Sequence, residues 1–228
     1  MTTTETAPSR WADFWAAQSS ALNSDLATTR ADRYGGELRL LFGDAPARRV
    51  LELGCGDGAL FDSLGFGQAE RYLGVDFSAR MLAEMRDRHP DVDVREAAGH
   101  TFETDEQFDL VFSAATVQYF DREMLAAHLE RAARMLAPGG RIVCASTPWR
   151  RMRWAYARGD VARRARRPLV LALAAHLKRL ARDNMGYWHD IPEVREMAAA
   201  LGLDVEFYGS LHYPYRFHFV LQRPSTPA

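Results

Sequence analysis

The chain has 228 residues, is 47% hydrophobic and carries a formal net charge of −1 at pH 7. That length supplies one sizeable core without demanding two, so a single domain over residues 1–228 is expected. Two cysteines, Cys55 and Cys144, are too few for a disulfide framework and do not have the spacing of a zinc site, so both are expected as free thiols and no metal is expected.

The start, Met1-Thr2-Thr3-Thr4-Glu5-Thr6, lacks the charged-then-apolar order of a signal peptide. No apolar run approaches the roughly 20 residues needed to span a bilayer, and a cytoplasmic protein is expected. Residues 1–47 read as a helical cap. Trp11, Phe14 and Trp15 share one face of a helical pattern, and Tyr34 to Phe42 forms a second helix leading into the first strand.

Residues 48–147 alternate between strand and helix patterns. Strands are expected at Val50 to Leu53, Tyr72 to Val75, Val92 to Arg95, Leu110 to Ser113 and Arg141 to Ser146. Helices are expected at Ala59 to Leu64, at Ser78 to Arg88 with Ser78 as the cap, and at Glu123 to Leu136. Leu125, Leu129, Ala132 and Leu136 face one side of the last, which therefore packs on the sheet. Such alternation means parallel strands joined by crossover helices. Pro138-Gly139-Gly140 ends the last helix, because proline cannot continue it and glycine permits the turn.

Residues 148–185 interrupt this order as a long insertion, read as a helical lid with Trp154, Tyr156 and the apolar stretch Leu169 to Ala175. From Arg150 to Arg182 it holds eleven basic residues against Asp160 alone, so its charge is +10 and the rest of the chain carries −11. Lys178 is the sole lysine, so much of the arginine excess is compositional. A basic amphipathic lid suits an anionic membrane surface, an acidic carrier protein or a phosphate-bearing acceptor, and equally a solvated face. Residues 186–228 supply a last helix, with Val194, Met197, Ala198 and Leu201 on one face and Gly202 closing it. Two strands follow, Leu203 to Tyr208 and Arg216 to Gln222, joined too closely for a crossover helix and so paired antiparallel.

The most informative segment is Arg48-Arg49-Val50-Leu51-Glu52-Leu53-Gly54-Cys55-Gly56-Asp57-Gly58. A strand that runs into alternate glycines lets bare backbone approach a ligand. Asp76 follows at the end of the next strand, at about the spacing where a carboxylate meets ribose hydroxyls in a doubly wound sheet. Gly54-x-Gly56-x-x-Ala59 alone also passes as a loose nicotinamide-dinucleotide fingerprint.

Taken together, Glu52-x-Gly54-x-Gly56-x-Gly58, Asp76, Phe108-Asp109-Leu110-Val111, Leu136-x-Pro138-Gly139-Gly140 and the terminal hairpin resemble class I S-adenosylmethionine-dependent methyltransferases of the small-molecule type. The resemblance implies a Rossmann-like seven-stranded sheet, five parallel strands plus an antiparallel hairpin, in the order 3-2-1-4-5-7-6. It implies S-adenosyl-L-methionine as cofactor. Gly54, Cys55 and Gly56 would offer backbone to its methionine part, with Gly58 completing the loop and Glu52 orienting it. Asp76 would accept both ribose hydroxyls, Phe77 and Met81 would flank the adenine, and Ser113 and Gln118 would line the site from the fourth strand. The family's adenine-binding Asp after the third strand is absent from Glu96-Ala97-Ala98-Gly99-His100, so Ala97 and Ala98 are left to line that end with backbone.

A sulfonium is already an activated donor, so such a protein chiefly aligns nucleophile, methyl and sulfur and excludes water. Any general base acts on the acceptor's O–H or N–H. His189 is the first candidate and His212 the second, with His100 behind them and Tyr119 as a hydrogen-bonding group. Asp190 would hold His189 in a useful tautomer if its side chain turned back, or would cap the following helix. The loop Ser113-Ala114-Ala115-Thr116 lacks the Asn/Asp-Pro-Pro-aromatic pattern of base-methylating relatives, so nucleic acid is not the expected acceptor and a small molecule is. The residues also leave open a module that binds the cofactor without catalysis, and a nicotinamide enzyme.

Overall fold

The computed structural model describes residues 31–43, 47–161, 168–171, 173–174 and 185–224. The helix expected around Trp11, Phe14 and Trp15, and residues 162–167, 172 and 175–184 of the lid, fall outside the described residues. In chain order the elements are α1 (Ala31–Arg39), β1 (Arg49–Leu53), α2 (Phe61–Leu64), β2 (Arg71–Asp76), α3 (Ala79–Arg88), β3 (Asp93–Glu96), β4 (Phe108–Ala114), α4 (Arg122–Arg134), β5 (Leu136–Pro148), α5 (Arg153–Arg158), α6 (Ile191–Ala200), β6 (Asp204–Gly209) and β7 (Arg216–Gln222).

One seven-stranded sheet results, in the order β3-β2-β1-β4-β5-β7-β6. β1 to β5 run parallel, and β7 lies antiparallel to both β5 and β6. Strand alternation divides the apolar residues between two faces. Val50, Tyr72, Leu110, Phe112, Val143 and Val220 meet Tyr34, Leu38 and Leu41 of the α1 segment and Leu82 and Met85 of α3. Leu51, Leu53, Val111, Ile142, Phe217 and Phe219 meet Leu125, Leu129 and Ala132 of α4 and Val194 and Ala198 of α6. Tyr34, Leu38 and Leu41 recur at helical spacing, which is why α1 lies flat on its face.

Three helices begin on side-chain caps. Ser78 accepts from Met81 N, Asp121 from Met124 N, and Asp190 from Ile191 N. Two boundaries differ from the pattern in the sequence. The helix expected from Ala59 is shortened to Phe61–Leu64, because Gly58 and the turn after it occupy the first residues. β5 begins at Leu136 rather than Arg141: Leu136 pairs with Phe108 and Arg141 with Leu110, so Pro138-Gly139-Gly140 is an irregularity inside the strand. Among the described residues, no helix is long and apolar enough to cross a membrane.

Candidate active site

The carboxyl ends of β1, β2 and β4 converge on the glycine loop, as expected where an open parallel sheet reverses its winding. Gly54, Gly56 and Gly58 have φ of 86°, 56° and 75°. The loop is stapled to β2, since Gly54 N and Cys55 N both donate to Val75 O, at 2.6 and 3.1 Å. Gly56 N donates to Asp76 Oδ2 at 3.0 Å and Ser78 N to Asp76 Oδ1 at 2.9 Å. Each Asp76 oxygen keeps a lone pair beyond these bonds, enough for a pair of hydroxyls. Burial raises the Asp76 pKa, while the N–H groups of Ser78 and Gly56 oppose that rise.

Glu52 points from β1 to the α1 face, where Tyr72 Oη donates to its Oε2 at 2.6 Å. Burial pushes its pKa up to about 8, with the Tyr72 hydrogen bond lowering it and the Asp76 charge adding to the rise. It is therefore a mostly protonated, hydrogen-bonded support beneath the loop near neutral pH. The Cys55 thiol is buried and its pKa is raised by burial, so this residue offers the site backbone and not a nucleophile.

Phe77 is half-buried at the end of β2, and Met81 is buried in the first turn of α3. Ala97 N donates to Asp76 O at 3.0 Å, which places Ala97 and Ala98 at the same edge as the Asp76 carboxylate. His100, half-buried, sets its ring against Phe120 at 5.3 Å, and burial lowers its pKa.

β4 departs from expectation at Ser113. Its hydroxyl lies 3.4 Å from Cys144 Sγ and 3.4 Å from His128 Nε2, so the side chain belongs to the α4 face and does not line the site. The reason is the period of two: Ser113 follows Val111 to that face. Beyond the strand, Ala115 takes φ 54°, and Thr116 closes over the loop. A Cβ built on Gly54 would sit 2.2 Å from Thr116 Oγ1, so this glycine admits no side chain. Gln118 is buried in the turn of 3-10 helix at Val117–Tyr119, with half-buried Tyr119 next to it.

Opposite the loop, α1, the end of β5 and the start of β7 bring together polar residues that no motif announces. Ser146 N donates to His218 Nδ1 at 3.0 Å, so that nitrogen is a lone pair and Nε2 carries the hydrogen that Glu37 Oε1 accepts at 3.1 Å. Leu211 N donates to the same Glu37 oxygen at 2.6 Å. Burial works to raise the Glu37 pKa, but its hydrogen bonds from His218 and Leu211 outweigh that and hold it below the usual carboxylate value. Oε2 of the ionised Glu37 faces His212 Nε2 at 3.7 Å. Arg216 is buried, and its Nη1 donates to Gln118 Oε1 at 2.9 Å and to Ser146 O at 2.6 Å. An arginine at the head of the apolar run Phe217 to Leu221 was the one sequence signal for this cluster.

His189 sits elsewhere. The residue is 2% exposed, its Nε2 donates to Val117 O at 3.1 Å, and Nδ1 is 3.9 Å from Glu193 Oε2. Its backbone bonds to Pro148 O and Arg150 N on both sides. The ring thus braces the turn after β4, and burial lowers its pKa. Asp190 does not turn back toward it: Oδ1 accepts from Ile191 N and from Trp149 Nε1.

Residues 50–140 match the family model described as a methyltransferase domain. A trans-aconitate 2-methyltransferase of Methylobacterium nodulans is 41% identical over 97 residues, which is 42% of this chain and 36% of that protein. The chain therefore spans about a third of the length of the curated relative it matches. DesVI of Streptomyces venezuelae superposes with a TM-score of 0.66 at 19% identity, covering 88% of this chain and 95% of that one. Magnesium protoporphyrin IX methyltransferase (ChlM) from Synechocystis, solved with bound S-adenosylmethionine, gives 0.65 at 14% identity, covering 98% and 100%. With the strand order and the terminal hairpin, these likenesses show that the chain has the fold of class I S-adenosylmethionine-dependent methyltransferases, with residues 50–140 matching the methyltransferase-domain model.

Proposed function

We propose that the chain transfers a methyl group from S-adenosylmethionine to an O or N nucleophile of a small molecule by in-line displacement. The observation that carries this reading is the Asp76 carboxylate fixed by Gly56 N and Ser78 N beside three left-handed glycines. That arrangement presents free lone pairs and bare backbone together, as a ribose and an amino-acid tail require. Gly54, Cys55 and Gly56 would hold the methionine part, Asp76 the ribose hydroxyls, and Phe77, Met81, Ala97 and Ala98 the adenine end. Glu52 would support the loop from below and Gln118 would close the site from β4. The bound donor supplies a methyl group on a cationic sulfur. A relative that methylates trans-aconitate, and neighbours such as ChlM solved with the donor, support both the donor and a small acceptor.

The proton of the acceptor is assigned to His212. It is the one of the two first-choice histidines that keeps exposure, with 25% of its side chain open, and the Glu37 carboxylate stands behind Nε2. Nδ1 would take the proton from the attacking O–H or N–H, and the Glu37 charge would stabilise the imidazolium that forms. The two groups need no rearrangement of the buried Glu37–His218 bond. Calorimetry with S-adenosylhomocysteine and, separately, NADH tests the cofactor. Binding of the former, abolished by Asp76→Ala, is expected, whereas binding of NADH alone would overturn the reading.

A further inference from the structure

Arg216 is 7% exposed and has no carboxylate partner among the described residues. A buried guanidinium is costly unless its charge is compensated and its donors satisfied. Here Nη1 is spent on two neutral oxygens, Gln118 Oε1 and Ser146 O, Nη2 meets the thioether Met185 Sδ at 3.9 Å, and the guanidinium carbon lies 5.5 Å from the centre of the Tyr215 ring, so among the described residues its partners are all neutral. Two further donors are buried in the same neighbourhood. Tyr34 is 1% exposed and Ser146 0%, and their hydroxyls lie beside each other with no further hydrogen-bond partner among the described residues. The Arg216 charge also reaches the Tyr34 hydroxyl. Ser146 adopts φ 62°, a conformation that costs a non-glycine residue about 1–3 kcal/mol and gathers at ligand-binding positions.

The cluster adjoins the methyl-donor loop through one short segment. Thr116 covers Gly54, and two residues later Gln118 holds Arg216. We infer that Arg216, with the hydroxyls of Tyr34 and Ser146, is a carboxylate-binding subsite that anchors the methyl acceptor by an anionic group distinct from the donor's own. The inference rests on the methyltransferase reading for its meaning, not for its geometry. A singly charged anchoring group fits better than a phosphate dianion. One guanidinium balances one negative charge, and the ionised Glu37 next to Tyr34 repels a second. A carboxylate also matches the in-plane N–H donors of guanidinium and takes the hydroxyl protons on its remaining lone pairs.

The test is calorimetric binding of citrate, trans-aconitate and glutarate, of their neutral methyl esters, and of glycerol phosphate, each with and without saturating S-adenosylhomocysteine. At least one carboxylate should bind wild type, and the esters should not. Arg216→Gln should weaken that binding at least tenfold while S-adenosylhomocysteine binding stays within about threefold. Because a buried substitution at Arg216 can unfold the chain, Tyr34→Phe is measured beside it, and a loss of threefold or more is expected. Equal carboxylate binding by wild type and both variants would overturn the assignment. So would failure of every carboxylate on wild type, or preference for glycerol phosphate. Carboxylate binding without any S-adenosylhomocysteine binding would uphold the subsite and refute the methyltransferase reading instead.

Discussion

Gly54 and Thr116 are in such close approach that a single methyl group on the glycine would stand 2.2 Å from the threonine hydroxyl oxygen. The contact joins the loop after β1 to the turn after β4, and it sets how near any ligand comes to bare backbone. Gly54→Ala carries two costs: the clash, and a left-handed φ of 86° that costs an L-residue about 1–2 kcal/mol. We expect the variant to lower the melting temperature and to weaken S-adenosylhomocysteine binding more than tenfold. Adding Thr116→Gly should recover the part due to the clash and leave the backbone part, a split readable by combining calorimetry with thermal denaturation.

Glu52 gives the fold a defined response to alkali. Its pKa rises from 4.5 unfolded to about 8 folded, so the folded state holds the proton more tightly. The stability this contributes is fully present below pH 4.5 and is lost as the pH rises through about 8. Glu52→Gln keeps the size and an acceptor for the Tyr72 hydroxyl but removes the titration. Melting curves between pH 6 and 9 should fall more steeply for wild type than for the variant.

His128 produces the opposite slope. It is fully buried on the α4 face, with Nδ1 bonded to Gly99 O at 2.9 Å, and burial pulls its pKa down from 6.5 to about 4. A depressed base stabilises the fold above its unfolded pKa. That contribution is lost as the pH falls through about 4. His128→Phe should flatten the acid limb between pH 6.5 and 4 while costing about 1–3 kcal/mol at pH 7 for the unpaired carbonyl of Gly99.

His212→Asn should lower kcat about 10²–10⁴-fold on an O–H or N–H acceptor with little change in S-adenosylhomocysteine affinity. Glu37→Gln should lower kcat less than His212→Asn, since a neutral amide 3.7 Å from Nε2 no longer stabilises the charge that the ring gains on taking the proton. By contrast His189→Gln, replacing a ring enclosed beneath Val117 O, should act chiefly on the melting temperature. A kcat loss at His189 without a change in folding would reverse this assignment.

Much of the fold was legible because it is written in short-range periodicity. The five parallel strands, the Ser78 cap and the terminal hairpin each rest on residues close together in the sequence. That Glu52, the glycine loop and Asp76 come together was legible for the same reason, since they span only two strands and a turn. Ser113 was misplaced because a strand's last residues look alike from either side, and only the register tells that its hydroxyl meets His128. The polar cluster around Arg216 and Glu37 was illegible. Arg216 finds Gln118 across 98 positions, and Glu37 finds His218 across 181, with no spacing rule linking either pair.

The position of β7 between β5 and β6 has a further consequence, for the order in which the protein acquires its parts. The glycine loop and Asp76, which we propose hold the donor, lie on β1 and β2 and the loops after them, and these can form from neighbouring crossover units as the chain emerges. Arg216 and His218 arrive only with β7, after all the strands it joins have been made, and β7 must insert beside the β5 edge, between β5 and β6. Until then the proposed donor cradle stands without the Arg216 cluster, so the pairing of β7 with β5 is the event that brings the two together.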